Sequence, residues 1–253
     1  MNPKVSLISH TPDPLALMCY ARRVMHSKVP DTLEELKKNP KKWLGCSIPE
    51  YFRDILKKDG MPTFLEYVTL TFKFENVSRA LTHQLVRHRI GFSFSQQSLR
   101  CVTLENFADN RAYHNPYVPD TAAYDKYHVK MLEIQEIYGE AIVHDMAMQN
   151  ARGLLPMNIQ TTITFSCTLR ALIGMVNKRL CHKTQGEFSQ VAALVVEEIA
   201  KVMPEVTSWF GKPCEHGKCM MEAENEQQIA EKKFSGIQNT DHVCFRYLEM
   251  KDD

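Results

Sequence analysis

Between residues 67 and 75 the chain alternates: Val68, Leu70, Phe72 and Phe74 are apolar, and Thr69, Thr71, Lys73 and Glu75 are polar. A period of two puts the two sets on opposite faces of a strand, one greasy and one polar. From Val77 to His88 the period turns helical, with Val77, Leu81, Leu85 and Val86 apolar. Strand and helix follow one another without a break, which points to an α/β (α+β) domain.

The other elements fall in place around that pair. Val5, Leu7 and Ile8 mark a short first strand, closed by the turn signal Thr11-Pro12-Asp13-Pro14, and a helix is expected over residues 15–25. Thr32-x-x-Glu35 and Ser47-x-x-Glu50 fit capping boxes, the second opening a helix that runs to Lys58 and stops at Gly60. A second extended piece is expected over 92–102, a loop over 108–120, and long helices over 124–152, 161–180 and 188–203. Beyond Gly211 the sequence turns polar and cysteine-bearing. It divides into a domain of residues 1–211 and an extension of residues 212–253.

Several function classes are excluded by the bulk properties. A net charge of +1 gives no general attraction to nucleic acid polymers, so any phosphate must be bound by a few placed arginines. No run of 18 apolar residues exists to span a membrane, and the first ten residues do not read as a signal peptide. Of the eight cysteines, Cys19, Cys46, Cys101, Cys167 and Cys181 are scattered through expected helices and strands. That pattern suits reduced thiols and a cytoplasmic protein.

The chemistry is concentrated in Gln84-Leu85-Val86-Arg87-His88-Arg89 and the following Ile90 to Arg100. Helical spacing brings Gln84, Arg87 and His88 together, and neighbouring cations repel unless something anionic or electron-rich lies between them. The Ser- and Gln-rich loop adds hydroxyls and amides, and Arg100 adds a fork suited to phosphate. Taken alone, such a patch reads better as a solvated helix C-terminus, where cations are favoured.

Gln84-x-x-Arg87-His88-Arg89 followed by Ser98-x-Arg100 resembles the signature of flavin-dependent thymidylate synthases. The likeness extends in order through Thr63-x-x-Glu66, Arg152 with Pro156 and Asn158, Arg170-x-Leu172 with Arg179, and Gln185-x-Glu187. It implies a mixed or antiparallel sheet with long helices, assembled as a homotetramer whose active sites are shared between chains. It implies methylation of dUMP at carbon 5, with FAD as cofactor and NADPH and methylenetetrahydrofolate as co-substrates. By the same resemblance Arg87, His88 and Arg89 hold flavin, and Thr63 and Arg170 touch its phosphate or ribose portion. Gln84 contacts the pyrimidine or its sugar, and Arg87 also reaches nucleotide. Ser98, Arg100 and Arg152 grip the nucleotide phosphate, assisted by backbone donors of Gln96 and Gln97. Arg179 lies against the pyrimidine and stabilises the charge that develops there, as the catalytic residue.

Departures from the family pattern are specific. Eight residues, not seven, separate Arg89 from Ser98, and Ser95-Gln96 replaces an Asn-Glu pair. Met61 and Tyr67 stand where histidines are expected, Gly174 where an asparagine is common, and Lys183 where another histidine is expected. These positions surround flavin or folate, so a variant acting on dCMP or delivering a hydroxymethyl group is an alternative. A second alternative is a non-catalytic binder of single-stranded nucleic acid, with Phe92 and Phe94 as stacking groups. Outside the resemblance, Cys214, His216, Cys219, His242 and Cys244 offer ligands for a structural zinc, with Cys214, Cys219, His242 and Cys244 as the proposed set.

Overall fold

The computed structural model describes residues 2–58, 63–215 and 219. Its strands are β1 (Lys4–His10), β2 (Thr69–Ser78), β3 (Phe92–Gln96) and β4 (Gln160–Thr168), joined in one antiparallel sheet of order β1-β2-β4-β3. The helices are α1 (Pro14–Val24), α2 (Leu33–Lys38), α3 (Pro40–Leu44), α4 (Ile48–Lys58), α5 (Arg79–Leu85), α6 (Ala122–Val143), α7 (Met148–Ala151), α8 (Leu169–Arg179) and α9 (Gly186–Val202). None of the described helices is long and apolar enough to cross a membrane.

The alternation in β2 decides what each face of the sheet carries. Register sets Phe72 opposite Phe165 and Phe74 opposite Ile163, and β3 adds Phe94 opposite Phe165. These rings meet in one core, with Phe72 stacked on Phe165 at 5.6 Å and Phe74 edge-on to it at 4.8 Å. Cross-strand aromatic pairs of this kind are the main stabilising contacts of a half-buried sheet. Met18 of α1, Leu172 and Val176 of α8, and Phe188, Val191 and Val195 of α9 complete the same core. On the other face Thr71 and Ser166 share a hydrogen bond of 2.9 Å.

One local device is used twice. Ser78 ends β2 and caps α5, its Oγ accepting from the Leu81 N–H at 3.0 Å; Thr168 ends β4 and caps α8, accepting from the Ala171 N–H at 3.3 Å. A cap of this type stabilises a helix start by about 1 kcal/mol. Because β2 and β4 are paired, the two helices leave one sheet and carry Gln84 and Arg179 with them. That is how residues 95 apart in sequence meet.

The expected elements need five corrections. Residues 161–180 are not one helix: β4 occupies Gln160–Thr168, and only then does α8 begin. Thr161, Ile163, Phe165 and Cys167 are buried and alternate with less buried neighbours, but Thr and Cys mark a buried face weakly. Val77 and Ser78 stay in β2, so α5 is shorter than expected and ends before Arg87 and His88. The extended piece stops at Gln96, because a turn starts at Ser98, whose carbonyl accepts from Cys101 and Val102. Helix 124–152 breaks after Val143 at Asp145, which takes φ +52°, and the 32–58 region holds three helices. The Ser47 capping box is present, Glu50 accepting from the Ser47 N–H at 2.9 Å and Ser47 Oγ from the Glu50 N–H at 3.4 Å; at Thr32 the cap bond forms, Oγ1 accepting from the Glu35 N–H at 3.2 Å.

Candidate active site

The ends of α5 and α8 build the first half of the site. Arg179 Nη1 donates to Gln84 Oε1 at 3.2 Å, and its Nη2 lies 3.2 Å from His88 Nε2. The guanidinium sits over the Phe188 ring, 4.6 Å from its centroid, a cation–π contact that suits a partly desolvated cation. Its Nε is buried and has no acceptor among the described residues. Burial lowers the Arg179 pKa from the usual guanidinium value. His88 is pushed down to about 4, chiefly by burial and then by the charges of Arg179 and Lys178. It is therefore neutral at physiological pH, and Nε2 can accept the Arg179 N–H.

A cavity of about 300 Å³ opens beside this group, lined by Gln84, Lys178, Arg179, Cys181, Lys183, Thr184, Gln185 and Pro213. No carboxylate of the described residues lines it. Behind it, Gln84 Nε2 donates to Gln185 Oε1 at 2.5 Å, and Gln185 Nε2 donates to Glu187 Oε2 at 3.4 Å. Glu187 is buried and also accepts from the Ser78 N–H at 2.7 Å and the Ser78 hydroxyl at 2.5 Å.

The second half of the site is a group of arginines near the turn after β3. Arg100 Nη2 donates to Gln149 Oε1 at 3.4 Å, while Arg152 Nε donates to the Gln149 carbonyl at 3.2 Å. Arg79 Nη1 donates to the Gln97 carbonyl at 3.4 Å. The Arg79 pKa is lowered by burial and then by the charge of Arg152, so these cations feel each other. None of the three forms an ion pair among the described residues. Ser98 Oγ accepts from the Arg100 N–H at 3.2 Å, which leaves its own hydroxyl proton free to donate.

Sequence reasoning missed Arg79 and Gln149. Arg79 had a readable sign: it is the first residue of a helix, where the dipole disfavours a cation. Gln149 had none, because its role appears only when α7 reaches Arg100 and Arg152. Of the loop amides, the Gln97 N–H is not available to a ligand, since it donates to the Thr162 carbonyl at 3.0 Å. The Gln96 side chain is turned to Thr82 Oγ1 at 3.0 Å and Thr161 Oγ1 at 3.3 Å, supporting the loop from within.

A third feature is a cavity of about 670 Å³ lined by Glu66, Ile90, Gly91, Thr168, Arg170 and Ala171. Gly91 has φ +74°, and a Cβ there would lie 2.8 Å from Ala171 Cβ, so the close approach of this turn to α8 requires glycine. Arg170 pairs with Glu66 at 2.5 Å, both half-exposed, so exchanging that partner for another anion costs little. Thr63 is exposed, its hydroxyl 3.9 Å from Met25 Sδ.

The structure separates what the motif joins. His88 turns to Arg179, whereas Arg87 and Arg89 are exposed and make no side-chain hydrogen bond or ion pair with any described residue. Phe92 and Phe94 stack at 5.7 Å and pack on Phe165 as partly buried neighbours of the main core. Among the described residues no group of three or more His, Cys, Asp or Glu side chains is placed to hold a metal. His216, His242, Cys244 and Met61 lie outside those residues.

Residues 6–205 match the model of the thymidylate synthase complementing protein family. The chain is 32% identical over 247 residues to the flavin-dependent thymidylate synthase of Clostridium tetani, covering 92% of this chain and 96% of that one. It is 30% identical over 216 residues to the flavin-dependent thymidylate synthase of Geobacter sulfurreducens, covering 85% and 90%. Among solved structures it is similar to thymidylate synthase X from Helicobacter pylori with FAD and dUMP. The TM-score is 0.62 at 18% identity, over 83% of this chain and 97% of that one.

Proposed function

The chain belongs to the flavin-dependent thymidylate synthase family, an enzyme family, and we propose that it converts dUMP to dTMP with methylenetetrahydrofolate as carbon donor and NADPH as reductant. The observation that carries this reading is the setting of Arg179. Its guanidinium is half-buried on Phe188 and held by Gln84 and His88, and its buried Nε has no acceptor among the described residues. A buried donor without a partner costs about 1–3 kcal/mol, which a pyrimidine ring oxygen would recover once negative charge develops on it during the reaction.

When bound and reduced by NADPH, the flavin would supply the hydride that completes the methyl group. The residues fit such a cofactor: Gly91 keeps the cavity wall at Thr168 and Ala171 close-packed, and Arg170, tied to Glu66 by an exposed pair, can take a phosphate instead. Thr63, Arg87, His88, Arg89 and Arg170 are assigned to flavin. The 5′-phosphate of the nucleotide belongs to Ser98, Arg100 and Arg152, with Arg79 added to them, since three guanidinium groups without a carboxylate repel until an anion joins them.

The protein's part in the reaction is electrostatic. As carbon 5 becomes nucleophilic, negative charge grows on the ring oxygens, and Arg179 stabilises it without being reoriented. A neutral His88 beside it accepts a hydrogen bond where a second cation would repel. The hydride would come from reduced flavin, so the reading needs no thiol attack on the ring. The working form is a homotetramer with shared sites. Ile90 is 92% exposed and lines the Gly91 cavity, and Arg87 and Arg89, just before it in the chain, are exposed and form no ion pair among the described residues.

The test uses the full chain with FAD. We expect retained flavin absorbance, NADPH oxidation that accelerates with dUMP, and a product with the mass of dTMP when methylenetetrahydrofolate is present. Turnover of dCMP in place of dUMP, or a hydroxymethyl product, would move the assignment to the variant reaction. No bound flavin at saturating FAD would remove the reading altogether.

A further inference from the structure

Three elements meet in a single line of polar groups that ends on Arg179. Glu187, 4% exposed near the start of α9, accepts from Ser78 at the β2–α5 junction and from Gln185 Nε2. Gln185 Oε1 accepts from Gln84 Nε2, and Gln84 Oε1 accepts from Arg179 Nη1. The two ends differ in kind. A carboxylate with these donors only accepts, and a guanidinium only donates.

The two amides between them therefore have one self-consistent orientation. Gln185 must turn its NH₂ to Glu187 and its oxygen to Gln84, and Gln84 must then turn its NH₂ to Gln185 and its oxygen to Arg179. Reversing either amide sets oxygen against oxygen or N–H against N–H within the chain, at sites that are half-buried and thus sensitive to such a mismatch. Gln84 is left with one N–H and one lone pair at fixed positions.

Uracil and cytosine differ by the same exchange. Uracil carries an N–H at position 3 and a carbonyl at position 4; cytosine carries a bare nitrogen and an amino group. An amide free to turn matches either base, and an amide held one way round matches one. We propose that Glu187 and Gln185 are positioning residues that, together with Arg179 at the other end of the relay, pin the Gln84 amide in one orientation and one place, and with it the choice of uracil over cytosine in the bound nucleotide. This rests on the proposed binding of a pyrimidine nucleotide and adds to it the device that selects the base.

The experiment measures equilibrium dissociation constants of dUMP, dCMP and deoxyribose 5-phosphate for the full-length, FAD-loaded chain, with Gln185→Met and Glu187→Gln beside the wild type. Gln185 is half-buried and makes no helix-cap bond, so methionine keeps its length while ending the relay. The wild type should prefer dUMP, and Gln185→Met should narrow that preference roughly tenfold or more, the scale of a mismatched buried hydrogen bond. Deoxyribose 5-phosphate, which has no base, should bind wild type and variant within about twofold, because Arg79, Arg100 and Arg152 are untouched. Glu187→Gln keeps an acceptor for the Ser78 N–H but turns an NH₂ toward Gln185, so that both ends of the relay donate and no orientation of the two amides satisfies it; it should narrow the preference too, and it decides the matter if Gln185→Met does not fold. An unchanged preference in a folded variant overturns the proposal. So does an equal loss for all three ligands with a lower melting temperature, which is a structural role only. A wild type that binds dUMP no better than deoxyribose 5-phosphate overturns the nucleotide reading, and this proposal with it.

Discussion

The Arg179 group and the Arg79–Arg100–Arg152 group are both basic, and they are built in opposite ways. Arg179 is fixed from several sides: Gln84 and His88 hold its nitrogens, and Phe188 lies under its plane. The three rim arginines are held at 3.2–3.4 Å by carbonyls and one amide, and Arg100 and Arg152 are exposed. A preorganised cation is worth most where charge appears during reaction, because nothing has to move. A looser cluster suits an anion that is charged before it arrives. The difference assigns turnover to one group and affinity to the other.

The largest expected effect follows from the first half of that division. Arg179→Ala should lower kcat by about 10²–10³-fold, the range seen when a preorganised donor to developing charge is removed, and saturating dUMP should not restore it. Arg179→Lys keeps the charge but loses the planar fork, so it should recover part of the rate. Steady-state kinetics with varied dUMP checks both.

Arg100→Ala comes next. Loss of a charge-assisted bond of about 1.5–3 kcal/mol should raise the KM for dUMP by roughly 10–150-fold, with kcat largely kept. Arg79→Ala should act in the same direction, and both effects should shrink as ionic strength rises. A fall in kcat without a change in KM for either variant would break the comparison.

Gly91→Ala tests whether the turn between the clusters has the constraint its geometry implies. The added Cβ meets Ala171 and keeps an unfavourable φ, so denaturant melts should show a loss of roughly 1–3 kcal/mol. Flavin retention should fall with it.

A smaller effect is expected from His88. Burial and the charges of Arg179 and Lys178 hold its folded pKa at about 4, whereas an unfolded histidine protonates near 6.5. Its contribution is therefore fully present above about pH 6.5, declines as pH falls because only the unfolded chain takes the proton, and levels off below about 4. Replacing His88 with Asn should flatten that part of the stability curve relative to wild type. Smallest of all is Cys181→Ala: Cys181 lines the Arg179 cavity, yet turnover should stay substantial, since the mechanism needs no thiol. Loss of activity in a folded, flavin-loaded variant would contradict it.

How much of the fold and the site was legible in the sequence depended on whether a residue's partners were local. β2 was readable because its alternating buried positions Leu70, Phe72 and Phe74 are large and apolar, and the two helix caps because each closes within four residues. β4 was not, because two of its buried positions are Thr161 and Cys167, whose side chains resemble those of its less buried face. Arg87-His88-Arg89 stood out as a motif, but only the fold separates His88, which faces Arg179, from its two exposed neighbours. Gln185 and Glu187 were visible as part of a series without a role. Their relay exists only because β2 and β4 pair and send α5 and α8 out side by side.

The division between the two clusters is tested most directly by binding alone, without turnover. Equilibrium affinity for dUMP should be measured on flavin-loaded Arg179→Ala and Arg100→Ala in the absence of NADPH and methylenetetrahydrofolate. Arg179→Ala should bind within a few-fold of wild type, and Arg100→Ala should bind roughly tenfold or more weakly. The reverse order would mean that Arg179 reads the ground state and the rim reads the reaction, which contradicts the division of labour between them.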